Sequence, residues 1–233
     1  MTTQTLLLFD IDGTILTSGG AGETALRAGF QEAFGPEENL TSIEISGRTD
    51  SGIARQILAK HGLAVTEQNL RTFYESYLGH LERLLPLRSG RLLPGIQELL
   101  QALQQCPNVH LGLLTGNLER GARLKLQHYG ISDVFKFGAY ADDHHDRNEL
   151  GAFALARARE LHRIPFSGSQ TFVIGDTPHD ISCARACGAA ALAVATGSFS
   201  IEALAAFGPG ALFADLSDVP AVLHALGIQP LPI

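Results

Sequence analysis

Short apolar runs recur along this chain, each closed by turn residues and followed by an amphipathic helical pattern. The runs fall at 6–9, 109–114, 134–137, 171–174 and 190–195, with a final one at 211–216. Runs of this length bounded by turn chemistry predict buried strands. Helical patterns follow at 95–105, 119–129, 150–161, 180–187 and 219–226. This alternation predicts an α/β fold, a doubly wound parallel sheet with helices on both faces.

One interval departs from the alternation. A crossover helix needs about a dozen residues, yet roughly ninety separate the first two strands. They carry three helical patterns, at 23–34, 50–61 and 67–85. Ser18-Gly19-Gly20-Ala21-Gly22 opens the interval, Ser89-Gly90 closes it, and Pro94-Gly95 starts the next helix. Flexible residues at both ends suggest a hinge pair. The pattern therefore predicts a helical cap domain at 17–90, inserted into a core domain of 1–16 and 91–233. A rigid helical elaboration is the alternative.

Composition narrows the class. The chain has 233 residues, 45% hydrophobic and 18% charged, ordinary values for a soluble globular protein. Its formal charge of −7 speaks against a nucleic-acid-binding surface. No apolar run is long enough to span a bilayer and no leader pattern is visible, so the expectation is a cytoplasmic enzyme. Cys106, Cys183 and Cys187 do not suggest a disulfide framework. Cys183 and Cys187 are expected to share one helix face as a small apolar contact.

Carboxylates and hydroxyls stand where the predicted strands end, the edge at which open α/β sheets bind ligands. The first run ends in Asp10-Ile11-Asp12-Gly13-Thr14. Two carboxylates there repel one another, and a hard cation such as Mg²⁺ would offset the charge. An aspartate so held is also a plausible nucleophile toward phosphorus. An acidic, solvated turn fits the same pattern. The second run leads into Thr115-Gly116-Asn117, able to hold a phosphate oxygen or to form an ordinary turn. The fourth leads into Gly175-Asp176-Thr177-Pro178-His179-Asp180. Asp176 can ligate the cation of Asp10, while Asp180 either orients the site from behind or only caps a helix. Arg147 is the candidate cation for a transferring phosphoryl group. The preceding Asp142-Asp143-His144-His145-Asp146 is expected to be a polar loop rather than a second metal site.

Together these segments resemble the haloacid dehalogenase superfamily of Mg²⁺-dependent phosphohydrolases. Asp10 to Thr14 match its first motif, Asp-x-Asp-Gly-Thr; Thr115 matches the second; Gly175, Asp176 and Asp180 match the fourth. The third motif usually supplies a lysine, where this chain has Arg147-Asn148, with Lys136 and Lys125 as alternatives. A planar guanidinium is not equivalent to an ammonium. The resemblance includes an inserted helical cap, as in phosphoglycolate-phosphatase-like and β-phosphoglucomutase-like members.

The resemblance implies that Asp10 attacks phosphorus to form an aspartyl-phosphate. It implies that Asp12 protonates the leaving alkoxide and then activates water. Mg²⁺ would be held by the Asp10 side chain, the Asp12 backbone carbonyl and Asp176, with Asp180 behind them. Thr115, Gly116, Asn117 and Arg147 would bind phosphate. The implied partner is a small phosphate ester, phosphoglycolate-like or a sugar phosphate, with Arg48 a candidate contact for a substrate anion. A phosphomutase shares every core residue. A non-enzymatic phosphoacceptor would be shorter and lack the cap, and a phosphonate hydrolase would want a cap lysine, for which only Lys60 is present. Oligomeric state is left open.

Overall fold

Leu7 and Phe9 face one side of the first strand, and Leu6 and Leu8 the other, all fully buried, as expected of a strand covered on both faces. In this computed structural model, which describes residues 3–229, that strand is β1 (Thr5–Phe9), followed by the two-residue β2 (Leu16–Thr17). Helices α1 (Ala21–Phe34), α2 (Asp50–Lys60) and α3 (Glu67–Leu84) come next, then β3 (Arg91–Leu92). The chain continues through α4 (Ile96–Gln104), β4 (Val109–Leu114), α5 (Glu119–His128), β5 (Gly138–Ala139) and α6 (Arg147–His162). It closes with β6 (Thr171–Gly175), α7 (Pro178–Ala186), β7 (Ala190–Val194), α8 (Ile201–Ala205), β8 (Ala211–Phe213) and α9 (Val219–Ala225).

Six of these strands form one parallel sheet in the order β5-β4-β1-β6-β7-β8. The chain moves outward from β1 to one edge and then to the other, the doubly wound α/β arrangement. Helices α4, α5 and α9 cover the face of Leu7 and Phe9; α6, α7 and α8 cover the face of Leu6 and Leu8. Phe9 stands level with Leu113 and Ile174, so β1, β4 and β6 finish side by side.

Helices α1 to α3 pack around their own apolar cluster of Phe30, Ile57, Phe73 and Leu81, joined by Leu118 and Ala141 from the sheet part of the chain. The connections into and out of this helical segment run antiparallel, pairing Leu16 with Leu92 and Thr17 with Arg91. No helix among the described residues is long and apolar enough to cross a membrane.

Several elements differ from the pattern-based expectation, among them β8, which ends at Phe213, and α1, which starts at Ala21. The run at 134–137 is not a strand. A 3₁₀ turn at Ser132–Val134 precedes it, and only Gly138 and Ala139 pair with β4. Its apolar residues are used for packing instead, Phe135 against one face of the sheet and Phe137 against the other. Helix α6 starts at Arg147 because the Asp146 side chain caps it, accepting from the Asn148 N–H at 3.0 Å. Helix α7 starts at Pro178 rather than Asp180, with Thr177 as its cap and Pro178 in its first turn.

Candidate active site

Because β1, β4 and β6 end together, Asp10, Thr115 and Asp176 emerge at one edge of the sheet. The Asp10 N–H donates to the Ile174 carbonyl at 2.9 Å and the Thr115 N–H to the Ala139 carbonyl at 3.1 Å. All three are buried. Oxygens of Asp10, Asp176 and Asp180 lie within 4.8 Å of one another. Burial lifts the Asp10 and Asp176 carboxyls above the ordinary carboxylate range, and Asp180 adds to the effect on both.

The Asp176 carboxylate accepts from the Thr14 hydroxyl at 3.1 Å. It sits in a cradle of backbone: a Cβ at Gly13 or Gly197 would run into it. Gly13 has φ +84, which glycine adopts without strain. Asp10 Oδ1 is buried without a hydrogen-bond partner among the described residues. Clustered carboxylates, a cradle shaped around one of them and an orphaned oxygen fit a small hard divalent cation.

Arg147, on the first turn of α6, reaches into this cluster. Its Nη2 bonds Asp180 Oδ1 and stands 3.0 Å from Asp10 Oδ1, close enough for charge attraction though without hydrogen-bond geometry. Its Nη1 donates to the Gly47 carbonyl at 3.1 Å, joining the core to the helical segment. Burial disfavours the guanidinium charge, but Asp180 and Asp10 more than offset this and raise its pKa. Its Nε is buried and unpartnered. Asp180 Oδ2 accepts from the Thr177 N–H at 3.0 Å and the Thr177 hydroxyl at 2.7 Å. Asp180 is thus both the third residue of a capping box and the anchor of Arg147.

Asp12 has a different setting. Its side chain is 39% exposed, and its Oδ2 accepts from Asn117 Nδ2 at 2.8 Å and from Lys125 Nζ. Asn117 Oδ1 accepts from the same ammonium, and Asn117 Nδ2 also donates to Thr115 Oγ1 at 3.1 Å. The Asn117 side chain is taken up by Asp12, Thr115 and Lys125. Thr115 Oγ1 accepts twice, from the Asn117 side chain and backbone N–H, which leaves its own hydrogen to donate elsewhere.

Lys125, considered in the sequence only as a substitute for Arg147, was not anticipated as the partner of Asp12. Its signal lay in α5, where the buried stripe Gly121, Ala122, Lys125, Leu126 contains one charge. Asp50 is the first residue of α2, with Thr49 as the cap. Its N–H donates to the Gly116 carbonyl at 2.6 Å, and its Oδ2 accepts from the Leu118 N–H at 2.8 Å.

A cavity of about 360 Å³ takes in Asp10, Asp12, Asp176, Arg147 and Lys125. Arg48 borders it, with Nε donating to Glu44 Oε2 at 2.8 Å. Lys136 lines a separate cleft with Arg157 and Glu160. Lys60 is bound to Glu38 at 2.6 Å, and His61 to the same carboxylate at 2.8 Å. In the acidic and histidine loop, Asp143 pairs with Arg157 at 2.6 Å, Asp142 accepts from the Glu119 N–H at 2.6 Å, and His144 bonds the Asp146 backbone. Its members are engaged as a polar loop. Cys187 packs against Gly151, where α6 meets α7.

The family model for haloacid dehalogenase-like hydrolases matches residues 7–194. The chain is 26% identical to a probable phosphatase, IndB, of Dickeya dadantii (strain 3937) over 226 residues, covering 95% of this chain and 94% of that protein. It is 24% identical to a phosphoglycolate phosphatase of Rhodospirillum rubrum, covering 91% of this chain and 88% of that one. Its fold is similar to the crystal structure of a predicted phosphoglycolate phosphatase from Haemophilus somnus 129pt. That match has a TM-score of 0.70 at 21% identity and covers 95% of this chain and 99% of that chain.

Proposed function

The chain belongs to the haloacid dehalogenase-like hydrolases, and from that premise we propose that it is a Mg²⁺-dependent phosphatase of small phosphate monoesters. Phosphoglycolate and sugar phosphates are the two substrate classes in view. The observation that carries this reading is the cluster of Asp10, Asp176 and Asp180 at one sheet edge, with Arg147 beside it. The names of the Dickeya and Rhodospirillum relatives point the same way.

In this account the Asp10 and Asp176 side chains and the Asp12 backbone carbonyl hold the cation, with Asp180 behind them fixing Arg147. Mg²⁺, when bound, offsets the repulsion between a phosphate dianion and a carboxylate nucleophile. Asp10 attacks phosphorus; its new O–P bond replaces the bond to the leaving oxygen. Asp12 gives that oxygen a proton. Because Lys125 and Asn117 both donate to Asp12 Oδ2, the proton belongs on Oδ1. Water then attacks the aspartyl-phosphate, Asp12 takes a proton from it, and inorganic phosphate leaves with the Asp10 carboxylate restored. The free Thr115 hydroxyl hydrogen, the Gly116 backbone and the unpartnered Arg147 Nε are donors for the phosphate oxygens. Asn117 positions Asp12 and Thr115.

Residues 17–90 act as a cap over the core formed by 1–16 and 91–233, and the cap screens the intermediate from bulk water. The reading is tested by phosphate release from p-nitrophenyl phosphate. Release should require Mg²⁺, stop with a chelator, and fall by at least about a thousandfold in Asp10→Asn, as removal of a covalent nucleophile demands. Substantial activity in that variant overturns the assignment.

A further inference from the structure

The carboxylate cluster accounts for one end of the cavity. The organic part of a substrate, joined to the oxygen that Asp12 protonates, must occupy the other end, under the helical segment. There the walls are Leu26 of α1, Ile53 of α2 and Tyr77 of α3, with Glu23 and Asp50 as the acidic members. Glu23 is exposed, in the first turn of α1, with no ion-pair partner among the described residues. Asp50 is buried and, among the described residues, accepts only from the Leu118 N–H and the Tyr77 hydroxyl, the latter at 3.4 Å.

The cations at this end are already matched. Lys125 is enclosed by Asp12 and the Asn117 carbonyl oxygen. Arg48, at the exposed rim, pairs with Glu44, whose other oxygen takes His179 at 3.1 Å. A substrate carboxylate placed here would meet Glu23 and Asp50, and the cations that line the cavity among the described residues, Arg48, Lys125 and Arg147, are each already in an ion pair. A hydroxyl or an ammonium would meet acceptors, and short carbon chains would lie on the Leu26, Ile53 and Tyr77 wall.

We infer that this cavity selects an uncharged or positively charged leaving group, so that phosphate esters of polyols or amino alcohols are hydrolysed in preference to those of hydroxy acids. The inference rests on the phosphatase reading and separates this chain from relatives named for phosphoglycolate.

Three esters of nearly equal size isolate the charge: 2-phosphoglycolate (negative), 2-hydroxyethyl phosphate (neutral) and O-phosphoethanolamine (positive). Values of kcat/KM should be at least about tenfold higher for the second and third than for the first, a modest effect for unit charges a few ångströms apart under partial screening. Glu23→Gln should lower the ratio of phosphoethanolamine to phosphoglycolate several-fold. Where turnover is slow, competition against p-nitrophenyl phosphate should rank the compounds in the same way. Equal values, or a preference for phosphoglycolate, overturn the inference and leave the phosphatase reading standing. Failure to hydrolyse these esters and p-nitrophenyl phosphate alike overturns both.

Discussion

Asp10 is buried beside Arg147, Asp176 and Asp180, while the Asp12 side chain is partly open to the cavity and rests on Lys125 and Asn117. Two residues apart, they face different charges, which suits the nucleophile and proton-carrier roles proposed for them. The division is testable through metal affinity. Asp176→Ala removes a carboxylate from the proposed cation site and should weaken Mg²⁺ binding by at least about 10–100-fold, the loss typical even of an outer-shell partner. Asp12→Ala keeps its backbone carbonyl and should bind Mg²⁺ within a few-fold of the parent while losing turnover. Titration calorimetry on both variants checks this; equal losses of affinity would contradict the proposed roles. Arg147 shows why arginine and lysine are not interchangeable here. One guanidinium nitrogen binds Asp180 while another reaches the Gly47 carbonyl, a span that a single ammonium cannot cover.

At the scale of elements, the segment leading into α2 is tied to the core through its backbone and short side chains. The Asp50 N–H meets Gly116, the Thr49 hydroxyl donates to the His145 carbonyl at 2.5 Å, and the Ser51 hydroxyl donates to the Ala141 carbonyl at 2.8 Å. Burial raises the Asp50 pKa from 3.8 to about 6, with Lys125 partly offsetting it. For a raised carboxyl, the stabilising contribution is full below the ordinary value and is lost as pH rises through the folded one. Asp50→Asn keeps an acceptor for the Leu118 N–H and removes the ionisation cost. It should therefore be more stable than the parent at pH 8 by roughly 2–3 kcal/mol, with little gain at pH 4. Denaturant midpoints at the two pH values decide it, and a gain independent of pH would contradict it. None of these ties was visible in the chain, because they join residues distant in sequence. What was visible was local: an apolar run stopped by Asp10-Ile11-Asp12-Gly13-Thr14, and Asp176 at the end of another such run. The 134–137 run misled because Phe135 and Phe137 alternate like a strand while packing as a loop. Lys125 was legible as a charge on a buried stripe, but its partner, Asp12, was not.

Across the whole molecule, the two edges of the sheet have opposite characters. The site gathers at the C-terminal ends of the strands. Near the start of β4, the His110 ring lies tilted against His162 at a centroid distance of 4.3 Å and edge-on to Phe166 at 5.1 Å, and bonds Gln4 at 2.7 Å. Burial lowers the pKa of both histidines, and the His162 charge adds to the effect on His110. A depressed pKa means that stability present above the ordinary value of 6.5 is lost as pH falls below it. This slope is opposite in sign to that of Asp50, so each is read against its own variant. His162→Phe keeps an aromatic contact and should flatten the loss of thermal midpoint between pH 7.5 and 5.5. Because the ring is partly exposed, the effect should be below about 1 kcal/mol. A slope unchanged in the variant would contradict it. The molecule's central chemical feature nonetheless lies at the other edge, in Asp10. Turnover of a phosphate ester with Mg²⁺, quenched rapidly in acid and mapped by peptide mass spectrometry, should show a phosphoryl group on Asp10 and none in Asp10→Asn. Steady turnover with no covalent phosphate at any time, or with phosphate on another residue, would contradict the account.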